Sequence, residues 1–274
     1  MTGPARLGGI ARAFEAAKRE RRGAFLPFLT SGFPDLVESD RLAAALCEEG
    51  ADVLELGVPF SDPVADGPVI QRASEAALRA GATLAHTLGQ AMRLHARHDT
   101  PIVLMTYLNP VLRYGTQRFV SDATAALVDG VILVDLPPEE EPELWDALRA
   151  AGIDTVTLVA PTTEPGRLVR IAERASGFLY VVARLGVTGQ GRIDAALDSI
   201  LDRCRELTPL PRCLGFGMDL KTPIGRYRGK AEGIVVGSAL LETILEGSDP
   251  RSREERARGF VRGVRARLPE LSPV

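Results

Sequence analysis

The sequence predicts a (β/α)8 barrel, in which eight parallel strands close into a ring inside a layer of helices. Eight short apolar runs recur along the 274 residues, mostly about one β/α unit apart, and each leads through a glycine- or proline-rich turn into a helical pattern. The length is also close to the roughly 250 residues of a typical barrel. We expect one domain over residues 1–274, with an open, doubly wound α/β sheet as the alternative.

The eight runs are apolar on both faces, as expected of parallel strands in a sheet that helices cover. They occupy residues 24–29, 53–56, 102–105, 131–134, 155–159, 179–182, 213–215 and 234–236. The longest interval, between the second and third runs, predicts an extended loop.

The segments between these runs carry apolar residues at helical spacing. They cover residues 37–49, 84–98, 119–128, 139–151, 164–175, 193–206 and 254–268, with a shorter one at 239–245. Gly50, directly after the first segment, is a predicted C-cap. Residues 4–21 predict an extra amphipathic helix at the bottom of the barrel, and the eight β/α units then occupy about 24–268.

Composition argues against several classes of function. The net charge of −3 offers no basic field to nucleic acid or an anionic membrane. No apolar run approaches the ~20 residues of a membrane span, and the amino terminus lacks the apolar stretch of a secretory signal. We therefore expect a cytoplasmic protein without a membrane or nucleic-acid partner.

The cysteines and histidines predict no disulfide framework and no metal site. Cys47, Cys204 and Cys213 are widely spaced and form no C-x-x-C pair, so we interpret them as buried thiols in a reducing compartment. His95 and His98 lie three residues apart without a completing ligand nearby in sequence. We interpret these two histidines as surface residues.

Glu55 stands in an otherwise apolar predicted strand, between Leu54 and Leu56. Successive side chains of a strand point to opposite faces, so Glu55 points into the barrel if the leucines pack on the outer helices. Burial raises the pKa of a carboxyl group, which suits a general acid or base near neutral pH. The alternative is a structural glutamate paired with an arginine.

Further carboxylates follow two of the predicted strands. Asp62 and Asp66 lie in the proline- and glycine-rich loop after the strand of Glu55, and Asp135 ends the fourth strand. Asp66 is the candidate for a second acid that faces the same substrate. Each of these aspartates could instead cap a neighbouring helix.

Three consecutive strands end in glycine-rich loops. The sixth runs into residues 184–189 (RLGVTG), the seventh into 215–217 (GFG), and the eighth into Gly237 and Ser238 before a short helix. Glycine lets the backbone approach an anion, and a helix start offers free N–H groups. Barrels often hold phosphate after strands seven and eight, so the pattern predicts a phosphate-ester substrate.

The positions of the lysines argue against one mechanism. Lys18, Lys221 and Lys230 all lie outside the predicted strands, whereas an aldolase that forms a Schiff base needs a desolvated lysine in its site. Carbon–carbon cleavage by this chain would have to rest on carboxylate acid–base chemistry.

The stretch 54–68 (LELGVPFSDPVADGP) resembles a signature of the tryptophan synthase alpha subunit family. Shorter matches lie at 27–30, 105–110, 135–137, 160–163 and 186–189, and the resemblance extends over nearly the whole chain. It implies a (β/α)8 barrel and a lyase that cleaves indole-3-glycerol phosphate to indole and glyceraldehyde 3-phosphate in tryptophan biosynthesis.

The resemblance also implies roles for individual residues. Glu55 would be the acid–base group that protonates C3 of the indole as the carbon–carbon bond breaks, and Asp66 would hold the indole N–H and stabilise the positive charge on the ring. Tyr180 would lie beside Glu55, and Phe28 would line the indole pocket.

For the phosphate and the closing loops, the resemblance points to the carboxyl ends of the strands. The loops after the second and sixth strands would close over the substrate, which excludes water from the site. Arg184 would take part in closure, and the substrate contacts there would be Thr188, Gly189, Gly217, Gly237 and Ser238.

The family's partner is a pyridoxal-phosphate β subunit that receives indole through a tunnel. The resemblance therefore implies an α2β2 complex, with no cofactor and no metal in this chain. The positions that would face the partner are Pro59, Asp62, Asn109 and Pro110. Two other hypotheses are a stand-alone lyase without a β partner and a catalytically weak, ligand-binding regulatory subunit.

Two stretches depart from the family's pattern. Residues 218–230 contain Pro223, Gly225 and Gly229, which disfavour the regular seventh helix of the family. Ala183 and Leu185 flank Arg184, where polar residues are common. We expect an altered seventh helical element and altered loop closure.

Overall fold

The eight predicted strands form a closed parallel barrel. The computed structural model describes residues 8–183, 190–215, 218 and 220–271. Each strand pairs with the next in sequence, and the last pairs in parallel with the first, so the barrel is confirmed and the open sheet is excluded. The strands are β1 (Ala24–Thr30), β2 (Leu54–Gly57), β3 (Ile102–Thr106), β4 (Gly130–Leu133), β5 (Asp154–Val159), β6 (Leu179–Val182), β7 (Arg212–Gly215) and β8 (Gly233–Val236).

Helices surround the barrel and run back between consecutive strands. They are α1 (Gly9–Arg19), α2 (Leu36–Glu48), α3 (Pro68–Arg79), α4 (Leu84–His95), α5 (Leu108–Tyr114), α6 (Thr116–Ala125), α7 (Pro142–Ala150), α8 (Pro165–Arg174), α9 (Gln190–Leu207), α10 (Ser238–Leu245) and α11 (Pro250–Arg265). Short 3-10 helices occupy Ile224–Tyr227 and Leu268–Leu271. None of the helices in the described ranges is long and apolar enough to span a membrane.

The long interval between β2 and β3 holds more than the predicted extended loop. After a loop at residues 58–67, the chain forms α3 and then α4. Proline at the first position of α3 is compatible with the helix, because the first N–H groups have no partner within the helix. The loop is therefore anchored by β2 on one side and by a helix on the other.

Helix α1 packs below the barrel, as its apolar spacing predicted. Ile10, Phe14 and Ala17 are buried, and the Phe14 ring lies 5.9 Å from the ring of Phe178 at the base of β6. Among the described residues the helix runs from Gly9 to Arg19, and positions 4–7 of the predicted span 4–21 lie outside the described residues. The barrel is thus covered at the end opposite the loops that carry the candidate site.

The interpretation of His95 as a surface residue is wrong. Its side chain is only 14% exposed, and Nε2 lies 3.3 Å from the carboxylate of Asp129. Asp129 also accepts a hydrogen bond of 2.9 Å from the backbone N–H of Ile102. The last turn of α4 therefore packs over the amino ends of the strands, a contact between distant segments that helical spacing alone does not reveal.

The described part of the unusual stretch 218–230 forms only a short 3-10 helix. Charged groups attach it to its neighbours: the Lys230 ammonium lies 3.3 Å from Asp198 of α9, and the Arg267 guanidinium donates to the Thr222 carbonyl at 2.6 Å. The expected departure from a regular seventh helix is confirmed for these residues.

An ion pair joins the last helix to the first β/α unit and provides a test of the packing. Both oxygens of Glu38, which is 6% exposed, accept from Arg253 of α11 at 3.1 and 2.9 Å. Arg253→Met leaves a buried carboxylate unpaired, and we expect it to lower the free energy of unfolding by about 2–3 kcal/mol. Arg79→Met breaks the exposed pair with Glu75 and should cost at most ~0.5 kcal/mol. Equal midpoints of urea unfolding for the two variants would contradict this.

Candidate active site

Glu55 lies inside the barrel. It is fully buried and its backbone is in register with Phe28 of β1 and Val103 of β3. Phe28, the residue paired with Glu55 on β1, lines the cavity inside the barrel together with Tyr180 of β6. Residues paired across neighbouring strands point to the same face of a sheet, so Glu55 faces the interior and not the outer helices.

The carboxyl group of Glu55 is buried without a partner among the described residues. Neither carboxylate oxygen of Glu55 has a hydrogen-bond partner within the described ranges, and no arginine in those ranges forms an ion pair with this carboxylate. Loss of water raises the pKa of Glu55 well above its ordinary value, because nothing in these surroundings replaces the hydration of the charged form. A structural glutamate would be paired, so this arrangement favours a group that carries a proton.

Asp66 lies in the loop between β2 and α3 and is held by hydrogen bonds. Its Oδ2 accepts from the Tyr107 hydroxyl at 3.1 Å, and its carbonyl accepts from Gln71 Nε2 at 2.8 Å. Gly67 is the N-cap of α3 and no side chain caps that helix, so the alternative of Asp66 as a helix cap is wrong. Burial raises the pKa of Asp66 to about 6, and the bond from Tyr107 opposes that rise.

The two acids therefore sit in environments of opposite character. Glu55 is unpaired and deep, whereas Asp66 is half-buried and accepts a hydrogen bond that favours its charged form. Carboxyl groups whose surroundings separate their pKa values can act as a proton donor and as a fixed negative charge in one site.

Two aromatic rings near the acids, those of Phe28 and Tyr180, each lie against a glycine. A Cβ at Gly57 would lie 2.4 Å from the ring of Phe28, and one at Gly215 would lie 2.3 Å from the ring of Tyr180. Together with other described side chains, the rings bound a cavity of about 30 Å³. Its lining consists of Phe28, Asp66, Ile70, Met105, Tyr180, Val235, Gly237 and Ser238.

The amino end of α10 borders this cavity. The helix begins at Ser238, and its N-cap residue Gly237 provides no side-chain hydrogen bond. Free N–H groups and the positive end of the helix dipole therefore meet at the border of the cavity, where an anion would be favoured.

Several predicted site residues cannot be placed. Arg184, Thr188, Gly189 and Gly217 lie outside the described residues.

The remaining predicted positions lie at the rim. Asp62 and Asn109 are exposed and Pro110 is half-buried, whereas Pro59 is buried within the chain and offers little surface to a partner in this conformation. Asp135 accepts from the backbone N–H of Leu108 at 2.8 Å. Asp135 therefore caps the start of α5, in agreement with its interpretation as a helix cap.

Tyr107 is the residue that the sequence reasoning missed. It is 3% exposed and directly follows β3, so its side chain reaches the loop of Asp66 from the neighbouring strand. Its place at the carboxyl end of a predicted strand was the available signal, since barrel sites are built from such positions.

The described residues contain no cluster of metal-binding side chains. No set of three histidine, cysteine, aspartate or glutamate residues there is arranged to hold an ion. The three cysteines are buried and free, as predicted. Among the described side chains, the site thus consists of two carboxyl groups, aromatic walls and a helix amino end.

Comparison with known proteins identifies the family. Residues 14–267 match the family model described as tryptophan synthase alpha chain. The chain is 45% identical to the tryptophan synthase alpha chain of Geobacter sulfurreducens over 86% of this chain and 90% of the relative. It is 41% identical to that of Solibacter usitatus over 93% and 96%.

Solved structures agree with the sequence relatives. The fold matches the alpha subunit of tryptophan synthase from Legionella pneumophila with a TM-score of 0.86 and 33% identity, covering 96% of this chain and 99% of that one. A chain of M. tuberculosis tryptophan synthase in its aminoacrylate-bound form matches with a TM-score of 0.85 and 33% identity, covering 96% and 100%. This chain therefore belongs to the tryptophan synthase alpha chain family.

Proposed function

We propose that this chain is a carbon–carbon lyase that cleaves indole-3-glycerol phosphate to indole and glyceraldehyde 3-phosphate. The observation that carries the proposal is the buried carboxyl group of Glu55, which has no partner among the described residues. It lies in register with Phe28, which lines a cavity together with a second, hydrogen-bonded carboxylate, Asp66. Family membership supports the substrate, and the geometry supports the division of labour between the two acids.

The reaction needs one proton delivered and one removed. Protonated Glu55 gives its proton to C3 of the indole, and the ring nitrogen becomes positively charged. The same carboxylate then takes the proton of the hydroxyl on the adjacent side-chain carbon. As that carbon becomes an aldehyde, the carbon–carbon bond breaks, its electrons return to the ring, and Glu55 ends protonated as it began.

Asp66 stabilises the charge that develops on the ring. A carboxylate near the indole N–H is worth more in the cationic intermediate than in the neutral substrate, which is the condition for lowering the barrier. The high pKa of Glu55 and the lower one of Asp66 allow the first to carry a proton while the second is charged.

The phosphate would bind at the amino end of α10. Gly237 and Ser238 line the cavity at this helix start, where free N–H groups would favour an anion.

The cavity has to widen for this substrate. About 30 Å³ holds one or two waters, far less than an indole ring. In the loop at residues 58–67, the part before Ala65 is the segment proposed to move, since Val64 is 85% exposed, whereas the Tyr107 hydroxyl holds Ala65 and Asp66. Entry of the substrate and closure of that loop over it would exclude water during the reaction.

A pyridoxal-phosphate β subunit is the proposed partner, in an α2β2 complex. The exposed Asp62 and Val64 border a shallow surface groove of about 750 Å³, and Asn109 at the start of α5 lies at the same rim. The acid–base chemistry proposed here uses this chain's own carboxyl groups, so we propose that the chain itself needs no cofactor. Size-exclusion chromatography with a cognate β subunit would separate an α2β2 complex from a stand-alone lyase.

The direct test is turnover of indole-3-glycerol phosphate by the purified chain, with and without a β subunit. Indole and glyceraldehyde 3-phosphate should appear in equal amounts. Absence of both products in both conditions would leave only the binding role and would contradict the proposed function.

Asp66→Asn tests the charge of the second acid. The amide keeps the shape and accepts a hydrogen bond from Tyr107, but it cannot balance a positive ring nitrogen. We expect kcat to fall by roughly 10²–10³-fold.

The pH profile gives a second readout of the same variant. The wild-type rate should rise with pH through about 6, where Asp66 becomes charged, and this acidic limb should be missing from the variant. Asp62→Asn, an exposed change in the same loop, is the control, and an unchanged acidic limb in Asp66→Asn would contradict the assignment.

A further inference from the structure

We propose that Tyr107 is a positioning residue for this lyase, whose hydroxyl fixes the loop at residues 62–67 and holds the Asp66 carboxylate in its charged form beside the cavity. The inference rests on the proposed function. Under this inference, a residue that follows β3 positions the carboxylate that lies in the loop after β2.

One oxygen atom, that of the Tyr107 hydroxyl, makes two hydrogen bonds to the loop after β2. The Tyr107 hydroxyl accepts from the backbone N–H of Ala65 at 3.1 Å and donates to Asp66 Oδ2 at 3.1 Å. A group that accepts from the backbone and donates to the next side chain fixes both the path of the loop and the direction of the carboxylate.

Tyr107 itself is held in place by its surroundings. Its side chain is 3% exposed, and its ring lies 5.1 Å from that of Phe60, tilted by 36°. The residue follows β3 directly and precedes α5, whose first N–H is capped by Asp135. The hydroxyl is therefore presented from rigid parts of the barrel to a loop that is largely exposed.

The hydrogen bond from Tyr107 also affects the charge of Asp66. Burial raises the pKa of Asp66 to about 6, and the hydrogen bond from Tyr107 lowers it. The phenol stays a donor, because burial and the nearby charges of Asp66 and Asp135 raise the pKa of Tyr107. The charge of Asp66 also acts on Tyr180. Among the described residues, Asp66 thus interacts electrostatically with the phenols of Tyr107 and Tyr180, and Tyr107 interacts in turn with Asp135. None of these groups is a cation that could hold the Asp66 carboxylate in its charged form.

Tyr107→Phe removes the hydroxyl and keeps the ring against Phe60. We expect kcat/KM at neutral pH to fall by roughly tenfold to a hundredfold, the usual worth of one hydrogen bond to a charged group, mainly through kcat. The midpoint of the acidic limb should move from about 6 toward neutral pH, because Asp66 loses the donor that favours its charge. A purely structural tyrosine would lower activity without moving that limb.

Tyr114→Phe is a matched control. Tyr114 lies at the end of α5, and its hydroxyl also donates to an aspartate, Asp122 of α6, at 2.6 Å. It lies outside the candidate site. This variant should keep both the rate and the acidic limb, while melting curves of the two variants compare their stability.

A carbon-13 NMR titration of the Asp66 carboxyl, assigned by its loss in Asp66→Asn, gives a readout independent of turnover. The midpoint should be higher in Tyr107→Phe than in the wild type and in Tyr114→Phe. An unchanged midpoint would overturn the inference, even with full lyase activity. Absence of indole release by the wild type would instead overturn the proposed function, and the titration would still decide the role of Tyr107.

Discussion

Glu55→Gln should abolish most of the turnover while leaving the fold intact. Glutamine has the size of the native side chain but can neither give a proton to carbon nor take one from the substrate hydroxyl. Removal of a general acid–base group commonly costs about 10²–10⁴-fold in rate. The measurement is indole release under saturating substrate, with melting temperature as the check on folding.

Binding distinguishes loss of chemistry from loss of the site. An analogue that lacks the hydroxyl next to the ring cannot undergo the cleavage, and its affinity for Glu55→Gln should stay close to that of the wild type. Glu75→Gln on the exposed face of α3 is the control for a glutamate change. Turnover of Glu55→Gln within tenfold of the wild type would remove Glu55 from the mechanism.

Gly215→Ala should damage both stability and catalysis. The added Cβ would lie 2.3 Å from Cε1 and Oη of Tyr180, and Tyr180 is 4% exposed, so the ring has little room to retreat. Overpacking of this kind costs about 1–3 kcal/mol, or roughly 2–4 °C in melting temperature for each kcal/mol in a chain of this size. The displaced phenol would also change the surroundings of Glu55, and we expect kcat to fall.

Gly259→Ala is the matched comparison. Gly259 lies within α11, and an added Cβ would meet nothing within 4 Å. Alanine is the better helix former by up to about 1 kcal/mol, so this variant should be neutral or more stable. If calorimetry found the same melting temperature for both alanine variants, the close approach of Tyr180 to Gly215 would have no energetic importance.

The strands could be predicted because their signal is local. Each is short, apolar on both faces and followed by a turn, and Glu55 stood out because its neighbours Leu54 and Leu56 are apolar. Helix α5 was not among the predicted helices. Proline disfavours the interior of a helix, but Pro110 lies in the first turn of α5, where its missing N–H costs no helical hydrogen bond.

Contacts between distant segments could not be predicted in the same way. Tyr107 and Asp66 are 41 positions apart, and their hydrogen bond exists only because two neighbouring strands present their ends at one rim. The burial of His95 against Asp129 has the same origin, since helical spacing identifies an apolar face but not the carboxylate below it. The sequence therefore indicated candidate residues more readily than the bonds that set their charge.

The isolation of the Glu55 carboxyl group from the other described residues implies a conflict between heat resistance and the proposed turnover. A buried carboxyl group without a partner costs free energy in the folded chain, and an apolar side chain of similar volume would be expected to recover it. Under the proposed mechanism, selection for thermal tolerance alone would favour replacing this residue and would yield more heat-resistant proteins without lyase activity. On that mechanism, the acid at position 55 is kept for its chemistry at a cost in stability.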